Sequence, residues 1–163
     1  MSERIEKIMQ EYQQMVMERT CLENQISNFK GITETEMIDS MYFSHPEGER
    51  VQTSGISEKT ATIAMTYRNK MERINREWRE HLEKKHAMLT EEVGFFESAV
   101  LSLSGILPDF ISDMVIEGMT WDDLAGKYHV SRTMVAKYRK KAIRELEILY
   151  AIHDRELAEY ILS

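Results

Sequence analysis

Residues 120–146 read TWDDLAGKYHVSRTMVAKYRKKAIREL, and this stretch predicts the fold of the C-terminal part of the chain. Thr120 is expected to cap a short first helix, and Asp123 is the reciprocal acid of a capping box. Ser131 offers a second capping hydroxyl, after which apolar residues recur at helical spacing. His129 lies between the two helices, where a left-handed backbone often requires Gly but tolerates His. The stretch therefore predicts two helices joined by a tight turn.

The apolar residues of this stretch have the spacing of a helix-turn-helix core. Ala125 is small where the second helix crosses the first closely, and Val130 fills the turn. The other inward-facing positions are expected to be Leu124, Tyr128, Val135, Tyr138, Ala142 and Leu146. A supporting helix is expected to open at Pro108 and to end at Gly118.

Basic residues are concentrated in the second half of the same stretch. From residue 127 to residue 144 there are seven Lys or Arg and no Asp or Glu, whereas the rest of the chain has 14 basic and 28 acidic residues. Such a contrast is typical of a phosphate-binding surface, although a solvated helix face has the same composition. Together with the two capped helices, it predicts that the second helix enters the major groove of double-stranded DNA. The expected contact residues are Ser131, Arg132, Thr133, Ala136, Lys137, Lys140, Lys141, Arg144 and Lys127.

The stretch also resembles region four of bacterial sigma factors. The resemblance rests on the runs Thr120-Trp121-Asp122-Asp123-Leu124-Ala125-Gly126, Val130-Ser131-Arg132 and Lys141-Ala142-Ile143-Arg144-Glu145-Leu146. It covers about a sixth of the chain and implies a helix-turn-helix that reads DNA. The promoter-melting aromatic residues of region two are not visible upstream. The chain is therefore not expected to direct initiation alone.

A helical front half followed by a sigma-like reader is similar to phage late-gene transcription regulators of Gram-positive hosts, of the ArpU and RinA type. This second resemblance rests on architecture. It implies a sequence-specific DNA-binding transcription regulator, a phage or prophage late-gene activator that binds upstream of a promoter. The acidic helical arm or the cluster Met41-Tyr42-Phe43 is expected to contact RNA polymerase or a second copy, although such a cluster is also typical of a core.

The composition of the whole chain favours helices. Its 163 residues include two Pro, seven Gly and twelve Met, and 30% of the residues are charged. No apolar run is long enough to span a bilayer, and the N-terminal residues MSERIEKIMQEY are too charged for a signal peptide. Cys21 is the single cysteine and has no partner for an internal disulfide. An all-α cytoplasmic protein without a membrane partner is expected.

Two long amphipathic helices are expected before the helix-turn-helix. The first runs over Ser2–Phe29, and Gly31 ends it. The second is capped by Ser57 and carries an apolar row over Tyr67–Leu103. A compact domain of this size cannot bury such a row, so it requires the first helix folded back antiparallel, a second copy, or both. A homodimer or higher oligomer is therefore expected.

The predicted fold class is all-α, with long helices in a coiled-coil-like arm followed by a C-terminal helix-turn-helix domain. Residues 1–104 are expected to form the arm and oligomerisation region, with a short helix near 33–43 and an exposed loop near 44–57. Residues 105–163 are expected to form the sigma region-four-like domain. Its last helix returns to acidic charge after Leu146, which favours packing or oligomerisation over DNA contact.

The sequence lacks the patterns that enzymes share. It has no glycine-rich phosphate loop, nucleophile elbow or convergent carboxylate pair, and His45, His81 and His86 lack metal-ligand spacing. No catalysis, cofactor or metal is therefore expected. Two alternatives to a transcription regulator stay open. One is the DNA-recognition subunit of a phage packaging terminase, a family that generally places its reader first. The other is a helical protein-interaction module that contacts RNA polymerase.

Overall fold

The computed structural model describes residues 2–31 and 58–163. Within them the chain forms five α-helices and one π-helical turn without any strand, so the all-α prediction is confirmed. The α-helices are α1 (Ser2–Ser27), α2 (Glu58–Leu101), α3 (Leu107–Ile111), α4 (Trp121–Tyr128) and α5 (Arg132–Leu162), and the π-helical turn is Ser112–Ile116. The predicted short helix near 33–43, with its Met-Tyr-Phe cluster, the loop near 44–57 and the Ser57 cap lie outside the described residues.

The long helices end slightly before their apolar rows do. α1 stops at Ser27, and Gly31 then takes a left-handed φ of +75°. α2 stops at Leu101, and both the backbone N–H and the hydroxyl of Ser102 donate to the Ser98 carbonyl, at 3.2 and 3.0 Å. A serine hydroxyl that bonds to the preceding turn competes with the regular helical ladder. The apolar periodicity alone therefore overestimates both helices by about two residues.

The supporting helix that was expected to end at Gly118 is divided in two. Pro108 stands in the first turn of α3, as predicted. A π-helical turn follows, in which the Glu117 N–H donates to the Ser112 carbonyl at 3.0 Å. Gly118 then ends the segment with a φ of +71°, and a Cβ at this position would lie 2.7 Å from Gln13 Nε2. Gly118 thus supplies both a left-handed backbone and room for α1.

The chain divides into two compact units. The first comprises Met1–Thr20 and Met88–Ser163, and the second comprises Cys21–Ala87. These limits differ from the expected domain boundary after residue 104. The difference arises because the start of α1 closes the core of the first unit, where Ile5 is fully buried in the same cluster as Leu124 and Leu146. Residues assigned to the arm from the sequence are therefore part of the core that supports residues 120–146.

The core of the first unit combines side chains from all five α-helices. Its largest fully buried members are Ile5, Val93, Phe96, Val100, Leu107, Phe110, Ile111, Leu124, Val135 and Leu146. Tyr12 packs against Phe96 with ring centroids 5.5 Å apart, and its hydroxyl donates to Glu97. Burial, together with the Glu97 carboxylate, raises the pKa of Tyr12 to about 12. Burial of each side chain of this size contributes roughly 1.5–3 kcal/mol, so the core depends on α1 as well as on the C-terminal helices.

Two ion pairs connect α1 with α5 at the surface of the first unit. Arg4 Nη1 lies 2.8 Å from Asp154 Oδ2, and Glu6 Oε1 lies 3.9 Å from Arg139 Nη1. Three of these four side chains are more than two-fifths exposed. Each pair therefore contributes about 0–1 kcal/mol, and apolar burial is the main link between the two helices.

In the second unit, the end of α1 pairs antiparallel with α2. Glu23 Oε1 lies 3.0 Å from His86 Nε2, and the Arg79 guanidinium lies over the Phe29 ring at 5.9 Å. Leu82 is a buried member of the α2 row in this unit. This antiparallel pairing is one of the two ways in which the apolar row of α2 was expected to be buried. None of the helices in the two described ranges is long and apolar enough to cross a bilayer.

Candidate nucleic-acid interface

The two-helix segment, defined as residues 120–146, begins with the predicted capping box. Thr120 has an extended backbone, and its hydroxyl accepts a hydrogen bond from the Asp123 N–H at 3.2 Å. The Asp123 carboxylate accepts in return from the Thr120 N–H at 3.3 Å. The cap satisfies two N–H groups that the helix itself leaves unpaired. The start of α4 is therefore fixed by its own sequence, as predicted.

The turn of the two-helix segment has the backbone that the sequence predicts. His129 adopts φ 54° and ψ 46°, the left-handed conformation, and ends α4. The Val130 N–H donates to the Ala125 carbonyl at 3.0 Å, which closes the turn. Ser131 then caps α5 by accepting a hydrogen bond from the Met134 N–H at 3.2 Å. A left-handed residue other than Gly costs roughly 1–2 kcal/mol, which the capped helices on either side offset.

The apolar row of the segment faces the core as expected. Leu124, Val135, Ala142 and Leu146 are fully buried, and Tyr128 and Tyr138 are half-buried. Phe110 of α3 lies between the two tyrosine rings, with centroid distances of 5.3 Å and 5.4 Å in edge-to-face geometry. Each such aromatic pair adds about 0.5–1.5 kcal/mol beyond the burial of area. The opposite face of α5 is thereby directed to solvent.

Asp113 of the π-helical turn holds the end of α4 in place. Its carboxylate oxygen Oδ2 accepts from Lys127 Nζ at 2.7 Å and from the Tyr128 hydroxyl at 2.6 Å. These two hydrogen bonds lower the pKa of Asp113. Burial, followed by the hydrogen bond to Asp113, raises the pKa of Tyr128. Lys127, a predicted DNA contact, therefore already has an acidic partner within the protein.

Arg132, in the first turn of α5, also has an acidic neighbour. Its Nε lies 3.3 Å from Oδ1 of Asp122, which is in the first turn of α4. The Arg132 side chain is 69% exposed and that of Asp122 is 78% exposed, so the pair lies at the surface. Neither Asp113 nor Asp122 was found as a partner from the sequence. No local spacing signals either contact, because each depends on how two elements pack.

Four of the predicted contact residues form a basic row on the outer face of α5. Lys137, Lys140, Lys141 and Arg144 are exposed, and none has an ion-pair partner in the described part of the chain. At 100° per residue, Thr133, Lys137, Lys140 and Arg144 fall within about 60° of one another. Ser131 and Thr133 are exposed at the start of this row, and Ala136 is half-buried beside it. We call Lys137, Lys140, Lys141 and Arg144 the basic row.

Two charges that flank the basic row have partners on other elements. Arg139 is only 24% exposed and faces Glu6 of α1. Glu145 accepts from the Ser104 N–H at 2.9 Å and from the Ser104 hydroxyl at 3.0 Å, so its carboxylate caps the segment after α2. An acid beside Arg144 in sequence is thus held away from the outer face. The outer face from Thr133 to Arg144 thus carries four exposed Lys or Arg although the whole chain has a net charge of −7.

The described residues contain no group of three or more His, Cys, Asp or Glu side chains that could hold a metal ion. The grooves of about 240 and 230 Å³ in the first unit border the second half of α5, near Tyr150 and Ile152, and not the basic row. No family model, curated protein or solved structure matches the chain. The sigma-like resemblance therefore rests on the residues of the two-helix segment themselves.

Proposed function

We propose that this protein is a cytoplasmic, sequence-specific DNA-binding transcription regulator, and that α4 and α5 form a helix-turn-helix. The observation that carries the proposal is the basic row, which lies opposite the buried face of a helix with a capped start. α5 has a diameter of about 10–12 Å with its side chains, which suits a major groove about 12 Å wide. Ser131, Arg132, Thr133 and Ala136 lie at the N-terminal end of this helix, where such readers contact bases.

The basic row has the position expected for phosphate contacts. Lys137 and Arg144 are separated by about two turns, or roughly 10 Å, so the row follows one side of a groove. Four cations without acidic partners predict that the logarithm of the binding constant falls with the logarithm of salt concentration with a slope of about −3 to −4. Because the rest of the protein is acidic, non-specific attraction to DNA is limited to this face.

The proposed role is that of a phage or prophage late-gene activator. The sigma-like segment is suited to locating a site on DNA, whereas the sequence has no promoter-melting region. The protein is therefore proposed to depend on a separate RNA polymerase to open the promoter. An acidic surface outside the basic row is suited to a protein partner such as RNA polymerase. In this proposal the protein acts by binding and not by catalysis.

Genome-wide footprinting of the tagged protein, followed by transcription in vitro from the occupied promoter, tests the proposal. One promoter-proximal site with stimulated transcription is the expected result. Occupancy beside a terminase gene without an effect on transcription would favour the packaging subunit instead. Absence of any specific site, with retained binding to polymerase, would favour the protein-interaction module.

We further propose that a second copy covers the last turns of α5. Leu157 and Ile161 continue the spacing of the buried residues Leu146 and Tyr150, but they are exposed, as is Tyr160. These side chains are 49%, 71% and 80% exposed at Leu157, Ile161 and Tyr160, so the last turns of α5 carry an apolar face that a second copy would bury. Light scattering is expected to return a dimer for the wild type and a monomer for a Leu157→Glu, Ile161→Glu variant. A monomeric wild type at micromolar concentration would refute this pairing.

A further inference from the structure

We infer that Asp122 is a positioning residue that orients Arg132 to read a guanine, and this inference rests on the proposed DNA-binding function. An acidic side chain in the first turn of α4 suits the helix dipole, but beside a DNA-binding face it also weakens attraction to phosphates. Asp122 is not a member of the Thr120–Asp123 capping box, and with a side chain that is 78% exposed it is not part of the core. Its close contact is the Arg132 guanidinium at 3.3 Å.

The geometry of this pair favours recognition of two acceptors that lie side by side. The carboxylate approaches Arg132 at Nε. The far edge of the guanidinium, with its two Nη atoms, therefore keeps its donors for another partner. Guanine presents two adjacent acceptors in the major groove, N7 and O6, and a bidentate arginine matches them. A phosphate accepts from many directions, whereas this base edge requires the plane of the guanidinium to be fixed.

The position of the pair in the fold supports the same role. Asp122 is in the first turn of α4 and Arg132 is in the first turn of α5, so the contact bridges the two helices at the end that is proposed to meet the base edges. Without its neighbour, the long Arg132 side chain has more rotamers to lose on binding. Orientation by Asp122 thus increases discrimination between bases and decreases general affinity.

The effect of removing the carboxylate is expected to have opposite signs in two measurements. Because the pair is exposed, the orienting contribution is limited to roughly threefold in guanine preference, which corresponds to about 0.7 kcal/mol. Removing one negative charge beside the phosphates is expected to raise affinity for random duplex DNA by about twofold to threefold. A structural role would lower both quantities, whereas a purely electrostatic role would raise the affinity for random DNA and leave the guanine preference unchanged.

The test uses the full-length protein and a random-sequence duplex DNA library. Preferred bases are read by selection and sequencing, and affinities for the selected duplex and for the unselected library are measured by fluorescence anisotropy. The variants are Arg132→Ala, Asp122→Asn and the conservative Asp122→Glu, which retains the charge. Glu80→Gln is the matched control, because it removes one exposed carboxylate from α2 in the second unit.

Wild-type protein is expected to select a guanine at one position, and Arg132→Ala is expected to lose that preference by about tenfold. Asp122→Asn should weaken the preference about threefold and bind the library more tightly, while Asp122→Glu and Glu80→Gln stay close to wild type. If Arg132→Ala loses the guanine preference but Asp122→Asn keeps it unchanged, the role of Asp122 is overturned while the proposed DNA-binding function stands. A wild type that enriches no sequence overturns the proposed function as well.

Discussion

Replacing Asp113 by Asn is expected to destabilise the first unit through the loss of the negative charge on one shared acceptor. Its carboxylate oxygen receives the Lys127 ammonium at 2.7 Å and the Tyr128 hydroxyl at 2.6 Å, and only 15% of the Asp113 side chain is exposed. Lys127 is about half exposed, so its share is small. The hydrogen bond of the half-buried Tyr128 to a charged acceptor contributes more. Together they are expected to contribute about 2 kcal/mol to the free energy of unfolding.

This contribution is expected to depend on pH in the acid range. The pKa of Asp113 is lowered in the folded protein, so its carboxylate stabilises the fold fully above the unfolded-state pKa of about 4. The stabilisation is lost as the pH falls through the lower folded-state pKa. The difference in stability between the wild type and Asp113→Asn should therefore be constant near neutral pH and should shrink below about pH 4.

Thermal unfolding monitored by circular dichroism, repeated at several pH values, measures this difference. For a chain of this size, about 2 kcal/mol corresponds to a decrease in Tm of roughly 4–8 °C. Glu117→Gln removes an exposed carboxylate from the same segment and is expected to change stability by less than about 0.5 kcal/mol. A double-mutant cycle with Tyr128→Phe should give a coupling of about 1 kcal/mol. Additive effects of the two substitutions, or a difference that does not change with pH, would refute the reasoning.

Three further predictions address other parts of the first unit. Gly118→Ala should lower the free energy of unfolding, measured by chemical denaturation, by about 1–2 kcal/mol because residue 118 has a left-handed backbone. Gly126→Ala should raise it by about 0.5–1 kcal/mol, because this residue lies inside α4 with open space where a Cβ would be. Tyr150→Phe should raise the free energy of unfolding by about 1 kcal/mol, because the buried Tyr150 hydroxyl has no hydrogen-bond partner among the described residues; a loss of stability would contradict this. Arg144→Ala should weaken binding to all duplexes alike and reduce the magnitude of the salt slope by about 1, as titrations at several salt concentrations would measure.

Features of the fold that depend on neighbours in sequence were predictable. The Thr120–Asp123 capping box, the Ser131 cap and the left-handed His129 all use hydrogen bonds or backbone preferences that act within about four residues. The buried row through Val135 follows from the helical period alone. The outer position of the basic row follows in turn, because a helix that buries one face exposes the other.

Features that depend on packing between distant elements were not predictable. The apolar row that includes Ile5 has the same spacing whether it packs against its own domain, another helix or a second copy. The sequence around Ile5 therefore does not indicate that it is buried in the same cluster as Leu146. Asp113 and Asp122 gain their roles only when the π-helical turn, α4 and α5 come together. The π-helical turn itself lacks a recognised sequence signature, and Pro108 to Gly118 reads as one ordinary helix.

The division of the first unit between the two ends of the chain has a consequence for its synthesis. Ile5 and Tyr12 leave the ribosome before most of the residues that bury them, which extend to Tyr150. At translation rates of about 5–20 residues per second, these apolar side chains wait on the order of ten seconds for their partners. During that interval they are available to a chaperone or to another nascent chain. The first unit can close only after Tyr150 has been translated, and a fragment that lacks the start of α1 would keep an open core.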